Sequence, residues 1–484
     1  MRNQNRILSI LLSISLISLF SIRAGSVQAA AAPVPQETVT RAMKTASEFY
    51  RNQLAVHGGY VYYYSLDLKE RWGEGKASPD QVWVQPPGTP TVGMAFLSAY
   101  AATGDQFYLD AATDAALALV YGQLKSGGWT NSVDFNPRSK LTAEYRNGKG
   151  RGKNNSTLDD GITQSALRLL IHVDQAHQFQ HKEIHEAAQV ALDALLAAQF
   201  PVGAFPQVWT GPVPQVPAKP ASFPKYDWRT EGRIKNYWDY YTLNDGLAGY
   251  VTTTLLDAYE IYKDERFKQA VLKLGDFLIQ AQLPEPQPAW AQQYNYDMQP
   301  IWARRFEPPA ITGGETQDVL ETLMRIYRLS GDRKYLEPIP QALAWLKRSQ
   351  LPDGQLARYY ELQTNRPLYM TRRGKQYSLT YDDADLPRHY GWKITSHVKE
   401  LEREFNAVKA SKELKDEPDP KWLLTRVKAI LYDLDDQGRW ISVSTGERLV
   451  GQPKFPVKTR YIASDHFSSN LETLSEYLQQ LKSN

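Results

Sequence analysis

The sequence predicts an all-α fold, an α/α toroid of roughly six helical hairpins whose long loops form a central cleft on one face. Three observations predict it. Apolar residues recur at helical spacing in paired runs, each pair ended by a glycine- or aromatic-bearing loop. The pairs repeat along the chain, and a unit of this size cannot bury its own apolar face unless neighbours stack on it. Stacking gives an open solenoid or a closed ring. The closing loops are long, aromatic and varied, as loops around a cleft tend to be, and no Pro-, Gly- or Ser-rich linker splits the repeat, so one closed ring is favoured.

The chain begins with a segment read as lying outside that ring. Arg2 and Arg6 precede an apolar stretch from Ile7 to Phe20, and Val27-Gln28-Ala29 has the small-x-small form of a cleavage site. Residues 1–29 are therefore expected to be an export signal and residues 30–484 a single secreted or periplasmic domain. The apolar stretch is short for a bilayer, Arg23 interrupts its extension, and no later segment suits a membrane span. A helix near residues 37–55 precedes Gly58-Gly59-Tyr60. The template hairpin follows, with a helix from Thr91, a turn at Thr103-Gly104-Asp105, a helix from Tyr108 to Leu124, and Gly127-Gly128-Trp129 closing it.

The same grammar returns three times. Ala166 to Val173 pairs with Ile184 to Gln199, Leu247 to Tyr262 with Phe267 to Gln282, and Val319 to Tyr327 with Tyr335 to Leu351. The second helices share a tail ending at Gln199, Gln282 and Gln350. Weaker helices near 393–412, 420–433 and 466–482 complete the count, and pairing the two terminal helices gives about six hairpins.

Composition narrows the function. The net charge of +3 comes entirely from Arg2, Arg6 and Arg23, so the remaining chain balances at 53 basic and 53 acidic side chains. Global charge supports no polyanionic partner, and no nucleic-acid-binding motif is present. The absence of cysteine excludes disulfides, thiolate metal sites and a cysteine nucleophile. Twelve Trp and 29 Tyr are many for this length; most are expected in the core, with a remainder free to stack on sugar rings. His177, His181 and His185 have helical spacing but straddle a hairpin turn, and they are read as surface residues.

The chemistry concentrates just before the first helix of each hairpin. Thr157-Leu158-Asp159-Asp160-Gly161 returns as Thr242-Leu243-Asn244-Asp245-Gly246, with Gly314-Glu315 and Asp465 at matching places in other copies. A single Asp there is most simply a helix N-cap, which also suits the helix dipole. Capping does not explain a doubled pentad, and in a closed ring the acids converge as either a divalent-metal seat or an acid/base pair. The closing loops bring arginines. Loop 136–155 carries Arg138, Lys140, Arg146, Lys149, Arg151 and Lys153 against Glu144 alone, read either as a cationic patch or as a solvated loop. Further on come Ala303-Arg304-Arg305-Phe306-Glu307-Pro308-Pro309 and Ala357-Arg358-Tyr359-Tyr360-Glu361, then Thr371-Arg372-Arg373. Arginine grips planar carboxylates through paired hydrogen bonds, although Glu307 and Glu361 offer some of these arginines structural ion pairs. Acids facing arginines fit a metal-bridged acidic polysaccharide.

These segments, with Trp290-Ala291-Gln292-Gln293-Tyr294, Gly314-Glu315-Thr316 and Asn365-Arg366-Pro367, resemble the family-ten pectate lyases over about residues 125–395. The resemblance implies an α/α toroid that cleaves polygalacturonate by calcium-assisted β-elimination. It implies Asp159 and Asp245 as calcium ligands, Arg304 as the catalytic residue, and Arg358 and Arg372 as grips on substrate carboxylates. Asp160, Asn244, Arg305 and Trp290 are expected to touch substrate. Where the family tends to carry Asn after the first Asp, this chain has Asp160. Arginine is ordinarily always protonated; burial and the neighbouring cations Arg305, Arg358 and Arg372 are expected to favour a neutral Arg304. The chain is expected to act as a monomer. Two other readings stay open: an α/α-toroid glycoside hydrolase using Asp160 and Asp245 as acid and base, and a non-catalytic acidic-polysaccharide-binding protein.

Overall fold

The computed structural model describes residues 32–412, 419–447, 449, 451 and 453–483; the expected export signal lies outside them. Twelve α-helices occur among the described residues. They are α1 (Gln36–Phe49), α2 (Thr89–Thr103), α3 (Gln106–Gly122), α4 (Ile162–Ala176), α5 (Lys182–Ala197) and α6 (Leu247–Tyr262). The second half holds α7 (Glu265–Ala281), α8 (Gly313–Ser330), α9 (Ile339–Arg348), α10 (Val398–Lys409), α11 (Pro420–Tyr432) and α12 (Ser464–Ser483). The even-numbered helices form the inner wall: α12 packs on α2, α2 on α4, α4 on α6, α6 on α8, and α8 on α10. The odd-numbered helices pack outside them, α3 and α5 against α4, α7 against α8, and α1 and α11 against α12. This is the α/α toroid the repeat implies.

Hairpin turns use one device. Gly104 and Gly331 end α2 and α8 in the left-handed conformation, and Asp105 and Asp332 then accept a hydrogen bond from the backbone N–H two residues on. Asp264 repeats the cap after α6, with Lys263 taking the left-handed place of glycine.

Stacking is reinforced by polar side chains at fixed places. Gln199 Nε2 donates to Gly203 O in its own closing loop and to Ala270 O on the next outer helix. Gln282 does the same with Pro288 and Pro338, and Gln123 with Gly127 and Ala187. The tail glutamines read in the sequence thus tie each hairpin to the next; Gln350 departs and reaches Ser396 instead. Trp129, Trp290 and Trp440 each donate an indole N–H to a carbonyl of the outer helix before them, at Leu119, Leu278 and Ile430. Inner-helix leucines such as Leu167, Leu170 and Leu255 are fully buried, each contributing about 2 kcal/mol through burial.

The strands are short and lie at the loop-bearing end. Ser156–Thr157 pairs antiparallel with Val208–Trp209, and Tyr241–Thr242 with Gln293–Tyr294. Ile311–Thr312 pairs with Tyr359–Tyr360, which continues into the hairpin Pro367–Arg373/Gln376–Thr380. Each acid-bearing pentad is therefore anchored by a two-residue ladder to the closing loop of its own hairpin. At the chain's two ends, Tyr63–Ser65 pairs with Arg460–Ala463, joining the first hairpin region to the last. No helix of the described residues is long and apolar enough to cross a membrane.

Candidate functional site

The two pentads adopt the same backbone. Asp160 has φ 47° and ψ 26°, followed by Gly161 at φ 71° and ψ 21°; Asp245 has φ 54° and ψ 36°, followed by Gly246 at φ 71° and ψ 24°. Two successive left-handed residues reverse the chain before α4 and α6. An aspartate tolerates that region and a glycine occupies it freely. Neither aspartate is a helix cap, as the doubling of the pentad implied: Gly161 and Gly246 hold the N-cap positions and no side chain caps either helix. The aspartates are turned into the cleft instead. One carboxylate oxygen from each of Asp159, Asp160 and Asp245 lies within 4.8 Å of the others.

Amides hold the three acids in place. Gln207 Nε2 donates to Asp159 at 2.7 Å, Gln85 Nε2 to Asp160 at 2.9 Å, and Asn244 Nδ2 to Asp245 at 2.5 Å. Asn244, expected to touch substrate, is 3% exposed and acts through Asp245. Gln85, and Glu74 which shares its amide, come from a segment the pentad pattern did not flag. Burial, then Asp245 and Asp160, pushes the Asp159 carboxyl well above the usual range. The Asp160 carboxyl is pushed up to about 7 by burial, Asp245 and Glu74. Its side chain reaches solvent, yet burial is the largest cause of the rise. A cation among these oxygens would relieve the repulsion that raises both groups. The donor set is hard oxygen, which suits calcium or a similar ion. Asn244 Oδ1 and Glu315 Oε2 are buried nearby without a partner. The residues fit a divalent cation.

Two arginines close the other side. Arg358 Nη2 lies 3.2 Å from Asp245 and 4.0 Å from Glu315, with its guanidinium 4.4 Å from the centre of the Tyr390 ring. Arg304 Nη2 lies 4.0 Å from Asp245 and 2.7 Å from Glu307, whose other oxygen accepts from the Arg304 backbone N–H. Tyr390 donates its hydroxyl to Glu307. Burial alone lowers the Arg304 pKa, but Glu307, Tyr390 and Asp245 outweigh it and hold the group far above its ordinary value.

The expectation of a neutral Arg304 is corrected here. The expected crowd of cations is incomplete: Arg305 is exposed, and Arg372 is exposed with its Nε–H donated to Gly374. Glu307, three residues on in the same turn, supplies the opposite charge. Arg372 reaches the site only indirectly, since Tyr377 beside it packs on Phe306. Trp290 is also corrected. It is fully buried with its indole bonded to Leu278, so its ring faces the core and not the cleft.

The cationic loop 136–155 leads into the first pentad, but Arg146 is spent on Glu186 of α5. His177 and His181 flank the α4–α5 turn, as read, and His185 pairs with buried Asp174. Tyr390, Gln207 and Glu74 were not legible, because none belongs to a repeated segment.

Comparison with known families gives the class: the chain is a polysaccharide lyase. Its residues 123–357 match the family described as pectic acid lyase, which bears out the resemblance read from the motifs. Comparison with curated proteins finds no match. Among solved structures, the chain is similar to a mutant family 10 polysaccharide lyase from Cellvibrio cellulosa in complex with trigalacturonic acid. That match has 22% identity and a TM-score of 0.47, covering 60% of this chain and 92% of that one. A second structure described as family 10 polysaccharide lyase from the same organism matches at 21% identity, covering 64% and 95%, TM-score 0.44. A cellobiose 2-epimerase from Bacillus thermoamylovorans matches at 16% identity over 92% of this chain and 100% of that one, TM-score 0.47.

Proposed function

We propose that this polysaccharide lyase is a secreted pectate lyase that cleaves polygalacturonate by calcium-assisted β-elimination. The observation that carries the reading is the convergence of Asp159, Asp160 and Asp245 opposite Arg304 and Arg358. Asp159, Asp160 and Asp245 would hold the ion. When bound, calcium draws charge from a substrate carboxylate and acidifies the neighbouring C5 hydrogen. Arg358, fixed over Tyr390, grips a uronate carboxylate. Arg304 faces the reacting ring. A base, the role the resemblance implies for Arg304 in its deprotonated form, takes the C5 proton; the C5–H electron pair forms the C4–C5 double bond, and the C4–oxygen bond breaks with the leaving sugar oxygen taking a proton.

The hydrolase alternative fits less well. Two carboxyl groups suffice for a hydrolase, which leaves the third, Asp159, within 4.8 Å of Asp160 and Asp245 without a role. Incubating the purified chain with polygalacturonate, with and without a chelator, tests the proposal through ultraviolet absorbance of unsaturated uronides. Chelator-sensitive absorbance is expected. Shorter saccharides without that absorbance would overturn the lyase mechanism, and saturable binding without turnover would leave a binding protein. Export by residues 1–29 suits an enzyme whose substrate is a polymer outside the cell, and N-terminal sequencing of the mature chain, expected to start at Ala30, checks it.

A further inference from the structure

The two acid-bearing turns are neighbours, and a single ring lies against both. A Cβ built on Gly161 would sit 3.4 Å from Cδ1, Cε1 and Cζ of Tyr250, while one built on Gly246 would sit 3.6 Å from Cε2 and 3.7 Å from Cδ2. Opposite halves of one tyrosine ring therefore bear on the glycines of the two pentads. Tyr250 is on the first turn of α6, which starts straight after the second pentad, so its Cα is rigidly tied to Asp245. The matching residue after the first pentad is Ser165, which hydrogen-bonds within α4. The repeat is broken at this position, and one ring serves both turns. Asp318 completes the seat from α8, accepting from Gly249 N–H at 3.2 Å beneath the same turn.

We infer that Tyr250 is a positioning residue whose ring fixes the gap between the two Asp-Gly turns, and through that gap the size of the cation the cluster accepts. The inference rests on the proposed reading of Asp159, Asp160 and Asp245 as a cation seat. Calcium takes oxygens at about 2.3–2.6 Å and magnesium at about 2.0–2.1 Å. Oxygens within 4.8 Å of one another can share one calcium ion, whose bonds let two ligands stand up to about 5 Å apart. Without the ring, Gly161 and Gly246 lose the contact they share, and the turns can approach until the oxygens suit the smaller ion.

The test is calorimetric titration of the purified full chain with calcium chloride and, separately, magnesium chloride, for the parent protein, Tyr250→Phe, Tyr250→Leu and Tyr250→Ala. Circular dichroism confirms that each is folded. The phenylalanine variant should keep the calcium-to-magnesium affinity ratio within about twofold, and the leucine and alanine variants should lose about tenfold or more of it. Leucine keeps the position apolar and answers the question if the alanine variant fails to fold. An unchanged ratio in the leucine variant, or a collapse in the phenylalanine variant, would overturn the spacer role. Failure of the parent protein to bind either ion would instead overturn the cation seat itself, a separate result.

Discussion

At Arg304 the resemblance and the electrostatics pull in opposite directions, and the difference is testable. Glu307 holds the guanidinium charged, which suits stabilisation of developing negative charge but opposes proton abstraction. If Arg304 takes the C5 proton, weakening its acidic partner should help deprotonate it. Glu307→Gln is then expected to move the rising limb of the kcat–pH profile to lower pH, while Arg304→Ala lowers kcat about 10²–10⁴-fold. A limb that stays in place with a reduced plateau would make Arg304 a fixed cation and send the search for the base elsewhere. Asp160 carries a second prediction at this scale. Its folded pKa of about 7 stands above its ordinary value. The folded state therefore binds its proton more tightly, and the stability this contributes is present at low pH and lost as pH rises through about 7. Asp160→Asn should flatten that loss in the metal-free protein, as read by chemical denaturation between pH 5 and 8. A variant that retains the parent's slope would show that Asp160 is not the group responsible.

The helices were legible because each presents an apolar face at regular spacing, and the Thr-Gly-Asp turns because they carry their own capping chemistry. The strands were not. Each ladder at the pentads is two residues long, too short for alternation to register. The pentads and the convergence of their acids were visible in the repeat, but their conformation was not: only the paired left-handed angles show how the side chains turn away from the helix and into the cleft. Gly246 shows what that conformation requires. At φ 71° a Cβ would meet Asp318 and Tyr250 at 3.6 Å, which is ordinary contact, so Gly246→Ala should cost mainly backbone strain, about 1–2 kcal/mol. Gly104→Ala has nearly the same φ in open space and serves as the control. Both variants should lose similar stability in urea, and only Gly246→Ala should weaken calcium binding. Equal calcium affinity in the two would mean the cluster tolerates movement of its turn.

Across the whole molecule, the acid cluster joins two repeats of the ring. Asp159 and Asp160 precede α4 and Asp245 precedes α6, so a cation shared by them would tie neighbouring hairpins, as the bridging glutamines do on the outer side. Closure of the ring was inferred from loop character alone. The contacts that achieve it are non-local and carry no sequence signature: α12 on α2, and the Tyr477 hydroxyl, which accepts from Val34 N–H and donates to Val34 O. A ligand that binds only the closed ring stabilises it by mass action, about 2.7 kcal/mol at a concentration one hundred times Kd. For a chain of this length, that corresponds to a rise of about 3 °C in Tm. The rise must depend on pH with a definite sign. Asp159 and Asp160 both have raised pKa values, so at pH 5 protons compete for the oxygens a cation needs, whereas at pH 8 Asp160 is mostly ionised and its unrelieved repulsion is there for the ion to cancel. Scanning calorimetry should therefore find a calcium-induced rise in Tm at pH 8 that shrinks strongly by pH 5. An equal rise at both values would place the bound ion away from these aspartates.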